Sequence, residues 1–290
     1  MTYIFLAFAT IFISFSGIGA NFYNRKNASC RDASQIYNLI TLGAVFTCWL
    51  IKFLTNPDYN LAVIPYSLIF TVGYTAAMVF CVYSYKTGPM VLSALIMQLS
   101  MISTTIWGFF FWDSKLTVEV VIGLVLVVVA LVLCLYSGKE KETEKKQITP
   151  KWLLFISLYF VGNSVASTTQ RTEQIDFESM YGDFFMAVAT LISFIVCLIV
   201  YLRSDRTDTK KILRTSWYLP TLVGVLNFGA NLLIITLATR LSANIVYPVM
   251  MIGSLTINSI FSIFIFKEKM RWWQWIGVLT GATAIAFLSV

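Results

Sequence analysis

Ser137-Gly-Lys-Glu-Lys-Glu-Thr-Glu-Lys-Lys-Gln-Ile-Thr-Pro150 is the one long hydrophilic stretch of this 290-residue chain, and it falls near the middle. Before it lie five apolar runs, at 3–22, 33–53, 63–84, 90–112 and 117–137. After it lie five more, at 152–170, 181–202, 217–238, 243–266 and 271–289. A hydrocarbon core of about 30 Å is crossed by about 20 helical residues. Inside lipid every backbone polar group must be satisfied within its own segment or a closed barrel, and the short alternating strands of a barrel are not visible. The runs therefore read as helices. The chain divides into a first five-helix repeat at 1–137, a charged cytoplasmic linker at 138–151 and a second repeat at 152–290. Five is an odd number, so the two repeats must lie oppositely in the membrane. The expected fold is an all-α integral membrane protein, with ten transmembrane helices in two inverted five-helix repeats.

Composition agrees. Hydrophobic residues make up 58% of the chain and charged residues 12%, with mean hydropathy +0.77. Soluble domains carry about 25% charged residues, so this chain lacks the polar coat that water requires. The net charge of +7 does not point to nucleic acid, because the basic residues sit in short loops between apolar runs. Histidine is absent, which excludes His-ligated zinc, Ser-His-Asp chemistry and His proton relays. The five cysteines, Cys30, Cys48, Cys81, Cys134 and Cys197, have no CxxC spacing and indicate neither metal site nor disulfide framework. No GxxxxGK[ST] motif or DDxxD-type acid set occurs, so neither a built-in ATPase motor nor a metal-dependent lipid enzyme is expected, and no cofactor is implied. The first run lacks a basic lead-in and an Ala-x-Ala site, and is expected to be a retained helix. Of the 21 Lys and Arg, 17 fall in the loops after odd-numbered spans. By the positive-inside rule those loops, including the central linker, are cytoplasmic and both termini face outward.

A shift of 154 residues brings Lys86 onto Arg240 and pairs Met97 with Met251, Ser100 with Ser254 and Ile106 with Ile260. It also pairs Phe110 with Phe264, Lys115 with Lys269, Ile122 with Ile276, Gly123 with Gly277 and Ala130 with Ala284. The shared layout is a basic residue, a long helix, a short charged turn and a glycine-bearing helix. Inverted repeats of this kind are a common plan for secondary transporters, with substrate held near the midplane.

The segment Phe266-Lys-Glu-Lys-Met-Arg-Trp-Trp-Gln-Trp-Ile-Gly277, followed by Gly281, resembles the last-hairpin pattern of EamA-type transporters in the drug/metabolite transporter superfamily. Trp112-Asp-Ser-Lys-Leu-Thr117 leading to Gly123 is a diverged copy, and Tyr83-Ser-Tyr-Lys-Thr-Gly-Pro89 is similar to the family's turn before its fourth helix. The resemblance implies a 5+5 helical basket that carries small metabolites by alternating access. Two features depart from the family. Its members often have cytoplasmic termini and a basic loop after helix 2, whereas Lys52 to Pro65 here holds one basic residue. The family's Trp-Gly pair in the first helix is replaced by Ser16-Gly17-Ile18-Gly19.

Polar side chains inside spans face the protein interior, because lipid exposure is costly. The substrate-binding candidates are Asn227, Asn231, Gln98, Tyr74, Asn163, Asn21 and Tyr247, with Asn244, Asn258 and Trp107 beside them. Asn227 and Asn231 are four apart and share one helix face. Each amide has a second reading as interhelical glue, and each aromatic as packing or interfacial belt. Gly277 and Gly281 form a small-xxx-small packing face, and Pro248 lies one turn inside its span, where a kink would free a carbonyl. No acid sits near the centre of a span. Glu173, Asp176, Glu178 and Asp183 fall at the turn after helix 6, with Arg171 and Glu173 read as a solvated pair. This absence argues against proton coupling through a buried carboxylate. The partners expected are a small-molecule substrate, the lipid bilayer and an energy source such as a coupling ion, with no nucleic acid; a lipid or lipid-linked-sugar flippase subunit and a non-transporting scaffold are the alternatives. A C-terminal reporter that fluoresces only in the cytosol should stay dark if the loop charges set the orientation; a bright signal would invert the topology.

Overall fold

Backbone amides removed from water are most simply satisfied by the chain's own i to i−4 bonds. In the computed structural model, which describes residues 2–27, 30–87, 90–112, 117–135, 149–204, 206–266 and 272–288, the regular structure is helical throughout. Residues 138–148 of the linker, the Gly88-Pro89 turn, residues 113–116 and the Lys267–Arg271 turn lie outside the described residues, as do the side chains of Asn21, Gln98, Asn244 and Asn258.

Eleven α-helices are present among the described residues: α1 (Thr2–Lys26), α2 (Ala33–Thr55), α3 (Ile64–Thr87), α4 (Met90–Phe111), α5 (Val118–Leu135), α6 (Pro150–Asp176), α7 (Gly182–Leu202), α8 (Thr209–Ser216), α9 (Tyr218–Ala238), α10 (Ala243–Phe266) and α11 (Trp272–Leu288). A single 3₁₀ turn, Leu61–Val63, leads into α3; Asn60 caps it by accepting from the Ala62 amide at 3.0 Å. Six helices, α1, α2, α3, α6, α7 and α9, are long and apolar enough to cross a membrane, and α4, α5 and α10 carry shorter apolar stretches. Large apolar side chains such as Val72, Phe110, Val125, Val161 and Ile199 are exposed, the surface a lipid-facing protein presents. This is a multi-pass membrane protein. Two elements differ from the sequence expectation. Helix α6 runs on to Asp176 instead of ending near 170, and the loop after α7 contains α8. Lys210, Lys211 and Arg214 lie on α8, whose Ile212 is fully buried.

The chain forms two compact units, and each draws on both sequence halves. The first comprises residues 1–75 and 169–239. Here α1 packs on α9, and α2 packs on α7, α8 and α9. Trp49, fully buried, meets Phe228 edge-on at 4.8 Å. Along α3, Ser67, Thr71 and Thr75 recur every four residues, facing Phe185, Ala189 and Ser193 on α7 at the same spacing. The three hydroxyls donate to the Phe185 carbonyl at 3.2 Å, the Ala189 carbonyl at 3.0 Å and Ser193 Oγ at 3.2 Å. This is a ladder of polar glue between helices that have no hydrophobic reason to associate in lipid. At one end of the unit Tyr23 donates to the Ala33 carbonyl at 2.8 Å, and Lys26 Nζ donates to the Thr215 carbonyl at 2.7 Å, tying the α1–α2 turn to α8.

The second unit comprises residues 76–168 and 240–290. Its core packs α11 on α5 and α10 on α4, α5 and α11, through Ile102, Val120, Val127, Met251, Ile252 and Ala284. Trp152 is buried beside Met97 and Ile156, and its Nε1 donates to Ser93 Oγ at 2.9 Å. Gly281 meets Ile252, where a Cβ would sit 2.5 Å from a methyl group, so the glycine face of α11 serves close packing. Pro248 lies inside a continuous α10, and Trp272 and Trp275 at the start of α11 are exposed as interface anchors would be.

Helix bounds recur at a nearly constant offset. α3 begins at Ile64 and α9 at Tyr218, α4 at Met90 and α10 at Ala243, α5 at Val118 and α11 at Trp272.

Gly224 sets the closest approach of α2 and α9: a Cβ there would lie 2.6 Å from the Thr41 carbonyl oxygen and 2.7 Å from Ala44 Cβ. Backbone cannot rotate away as a side chain can. Gly224→Ala should therefore lower stability by about 1–3 kcal/mol, the usual cost of overpacking. The exposed Val225→Ala should stay within about 0.5 kcal/mol of the parent. Unfolding midpoints in detergent compare the two.

Candidate functional site

Asn227 and Asn231 lie near the middle of α9, one turn apart, on a largely apolar helix. Asn231 Nδ2 donates to both the backbone carbonyl of Asn227 at 2.9 Å and its Oδ1 at 2.8 Å. From α6, Gln170 Nε2 donates to Asn231 Oδ1 at 3.1 Å and lies 3.8 Å from Met186 Sδ on α7. Three amides on two helices thus form one chain within the first unit. Both asparagines are half-buried and Gln170 is buried.

The chain of polar groups continues along α6. Glu173 and Gln174 follow Gln170 by three and four residues, the spacing of a shared helix face. Both are fully buried, at 0% exposure. Among the described residues, neither carboxylate oxygen of Glu173 and neither polar atom of the Gln174 amide has a hydrogen-bond partner. One turn further, Asp176 reaches the surface and accepts from Tyr66 on α3 at 2.8 Å; Tyr66 also lies within electrostatic reach of Glu173. The end of α6 is fixed in place. Glu178 and Ser179 adopt left-handed backbone, with φ of 51° and 59°. The Ser179 amide returns to the Gln174 carbonyl at 2.8 Å, and its hydroxyl donates to the Ile235 carbonyl of α9 at 3.3 Å. Lys52 of α2 pairs with Asp183 of α7 at 2.6 Å.

This arrangement corrects the reading of Arg171 and Glu173 as a solvated loop pair: both are buried side chains of α6, with Arg171 5% and Glu173 0% exposed. Sequence reasoning therefore missed Gln170, Glu173 and Gln174. The signal was available, since no proline or glycine interrupts the chain between Asn163 and Asp176. Polar residues alone do not end a helix, and nothing in this cluster breaks one.

The other sequence candidates distribute as follows. Tyr74, in the first unit, is stacked on Phe70 at 5.2 Å. Asn21 lies on α1 in the same unit. In the second unit Asn163 Nδ2 donates to Ser100 Oγ at 2.8 Å, and Tyr247 donates to the Ser167 carbonyl at 3.4 Å. With Ser164 bonded to the Ser100 carbonyl at 3.3 Å and Thr168 to Thr104 Oγ1 at 3.5 Å, these residues form a polar seam joining α6 to α4 and α10. Gln98 lies on α4 in that unit. Trp107 is exposed and stacks on Phe111. Asn227 and Asn231 are the pair brought into direct contact; the seam holds Asn163 and Tyr247 on different helices. No group of three or more Cys, Asp or Glu side chains able to hold a metal occurs among the described residues.

No curated protein matches the chain in sequence. A solved structure described as "Crystal structure of protein" shares the fold, with a TM-score of 0.72 at 10% identity over 99% of this chain and 95% of that one. Residues 150–290, which hold α6 with its buried amides and carboxyl and α9 with Asn227 and Asn231, match the model of the EamA-like transporter family. With that match, the second half of the chain, residues 150–290, is an EamA-like transporter segment set in a body of long apolar helices.

Proposed function

We propose that this protein is a secondary transporter that moves a small metabolite by alternating access, with the substrate held by polar side chains drawn from two inverted five-helix repeats, 1–137 and 152–290. The observation that carries the reading is the amide chain Gln170–Asn231–Asn227. Its two asparagines stand half-buried near the middle of a helix that is otherwise largely apolar. Amides that served only as glue would close on one another and stop. Here Asn227 Nδ2 donates to no acceptor among the described residues. A substrate bearing a carbonyl, carboxylate or hydroxyl oxygen would accept from it.

The repeat reading is supported by the recurrence of helix starts between α3–α5 and α9–α11. It is supported further by three of the helix pairs that pack together, α2 with α7, α4 with α10 and α5 with α11, beside the contacts of α9 with α1 and α2. Those three pairs are the equivalent helices of the two repeats, and a two-fold axis in the membrane plane brings equivalent elements into contact. Tyr74, Asn163, Tyr247, Gln98 and Asn21 remain the further candidates for contact with the substrate.

The test is reconstitution in liposomes after thermal-shift screening of amino acids, sugars, nucleosides and quaternary amines. Asn227→Ala and Asn231→Ala should each weaken the apparent affinity for a carried compound about tenfold or more, since losing one buried hydrogen bond costs about 1–3 kcal/mol. Stability should fall less, by about 0.6 kcal/mol, the average for a hydrogen bond between helices in a membrane. Unchanged affinity in both variants would move the site elsewhere.

A further inference from the structure

Glu173 is the group that the amide chain leaves unexplained. Its two oxygens are fully buried, accept no hydrogen bond among the described residues, and sit on the face of α6 that also carries Gln170 and Gln174. A bare carboxylate is not stable in such a place. The carboxyl group is completed only by a positive charge, and the smallest is a proton.

The charges around it leave that role open. On α6 itself, Asp176 is exposed and bonded to Tyr66, and Arg171, buried, lies two residues away, about 200° around the helix from Glu173. From α3 comes Tyr66, already donating to Asp176. From α7 comes Asp183, whose charge is matched by Lys52 of α2 at 2.6 Å. Glu178 is exposed in the turn, and α9 carries no acid or base along its length. Among these described neighbours no cation is bonded to Glu173.

Position supplies the second argument. Asn227 stands near the middle of α9, Asn231 one turn on, and Gln170 bridges to α6. Glu173 and Gln174 lie one turn nearer the end of α6, and Asp176 with Tyr66 is at the surface. One line of polar side chains thus joins the mid-helix amides to the exterior, with a single carboxyl part-way along it. We propose that Glu173 is a proton-binding site, taking up and releasing one proton by way of the α6–α7 turn, and that substrate movement at Asn227 and Asn231 is coupled to it. The coupling rests on the transporter reading above; the proton site does not. It revises the expectation that proton coupling is absent. That expectation followed from looking for an acid at the centre of a span, whereas this one lies one turn from a helix end and is buried all the same.

Two measurements on the full chain in lipid nanodiscs and liposomes test the proposal, with the proton as the probe. Infrared difference spectra across a pH titration should show the carbonyl stretch of a buried protonated carboxyl. It should be present in the parent, shifted in Glu173→Asp and absent in the nearly isosteric Glu173→Gln. In liposomes containing pyranine, an imposed pH gradient should speed entry of a carried compound several-fold with the parent protein. The acceleration should disappear in Glu173→Gln and return in part in Glu173→Asp. A band that persists in Glu173→Gln, or transport indifferent to the gradient in the parent, overturns the proposal. If no compound is carried by any variant while the band is assigned to Glu173, the transporter reading fails and the proton site stands.

Discussion

A polar group that enters hydrocarbon must bring its partner with it, and this constraint shapes the molecule at every scale. It makes the backbone helical and lets hydroxyls turn back on their own helices, as Thr10 does onto the Leu6 carbonyl at 2.8 Å and Ser14 onto Thr10 at 2.7 Å. Between helices it replaces the hydrophobic effect, which has no purchase where the solvent is as apolar as leucine. The Ser67–Thr71–Thr75 ladder on α7 and the Asn163–Ser100 seam on α4 are the outcome: short polar side chains at helical spacing, each bonded to a carbonyl or hydroxyl across the contact. Where no polar rung is used, size takes over, as at Gly224 against the Thr41 carbonyl and Gly281 against Ile252.

That constraint also decides what the sequence makes legible. Apolar runs of about 20 residues are read easily because few soluble segments imitate them, and the helices observed overlap all ten expected spans. The glycine face of α11 and the shared face of Asn227 and Asn231 follow from helical periodicity alone. Burial at a helix end does not. Residues Gln170 to Asp176 look like a loop because five of them, Gln170, Arg171, Glu173, Gln174 and Asp176, are charged or bear an amide. Their hydropathy reports the side chains, while their helicity is set by the absence of a breaker and by the turn that follows. The left-handed pair Glu178–Ser179 and the bond from Ser179 to Ile235 are tertiary facts with no local signature, since neither position is glycine. Arrangement in space was equally hidden. Two compact units that each combine pieces of both halves cannot be inferred from a chain that divides cleanly at a central linker.

Glu173 breaks the rule that the rest of the chain obeys. Asn231, Gln170, Ser67, Thr71 and Asn163 all have partners, whereas this carboxyl and the adjacent Gln174 have none among the described residues. An exception of this kind is not a packing accident that selection would ignore, because leaving a buried polar group unpaired costs about 1–3 kcal/mol, and more if it is charged. The neighbouring backbone is costly as well, with two non-glycine residues in left-handed conformation one turn away. Strain and an unmet polar group at the same helix end mark a segment held in place by its surroundings.

The alternating access proposed for this protein requires two states close in energy, so that binding can tip the balance. Weak rungs suit such a molecule. Hydrogen bonds between membrane helices average about 0.6 kcal/mol each, so the three rungs of the α3–α7 ladder can be exchanged without a large barrier. A fully apolar, close-packed contact would resist sliding, and a set of strong ion pairs would hold one state. The ion pair of Lys52 with Asp183 is at the start of α7, beside the turn that follows Glu173. If α6 moves against α9, the groups that change surroundings first are those at its end: Glu173, Gln174 and Ser179. Such a movement would break the bond from Ser179 to the Ile235 carbonyl, while Glu173 and Gln174 have no hydrogen bond among the described residues to lose.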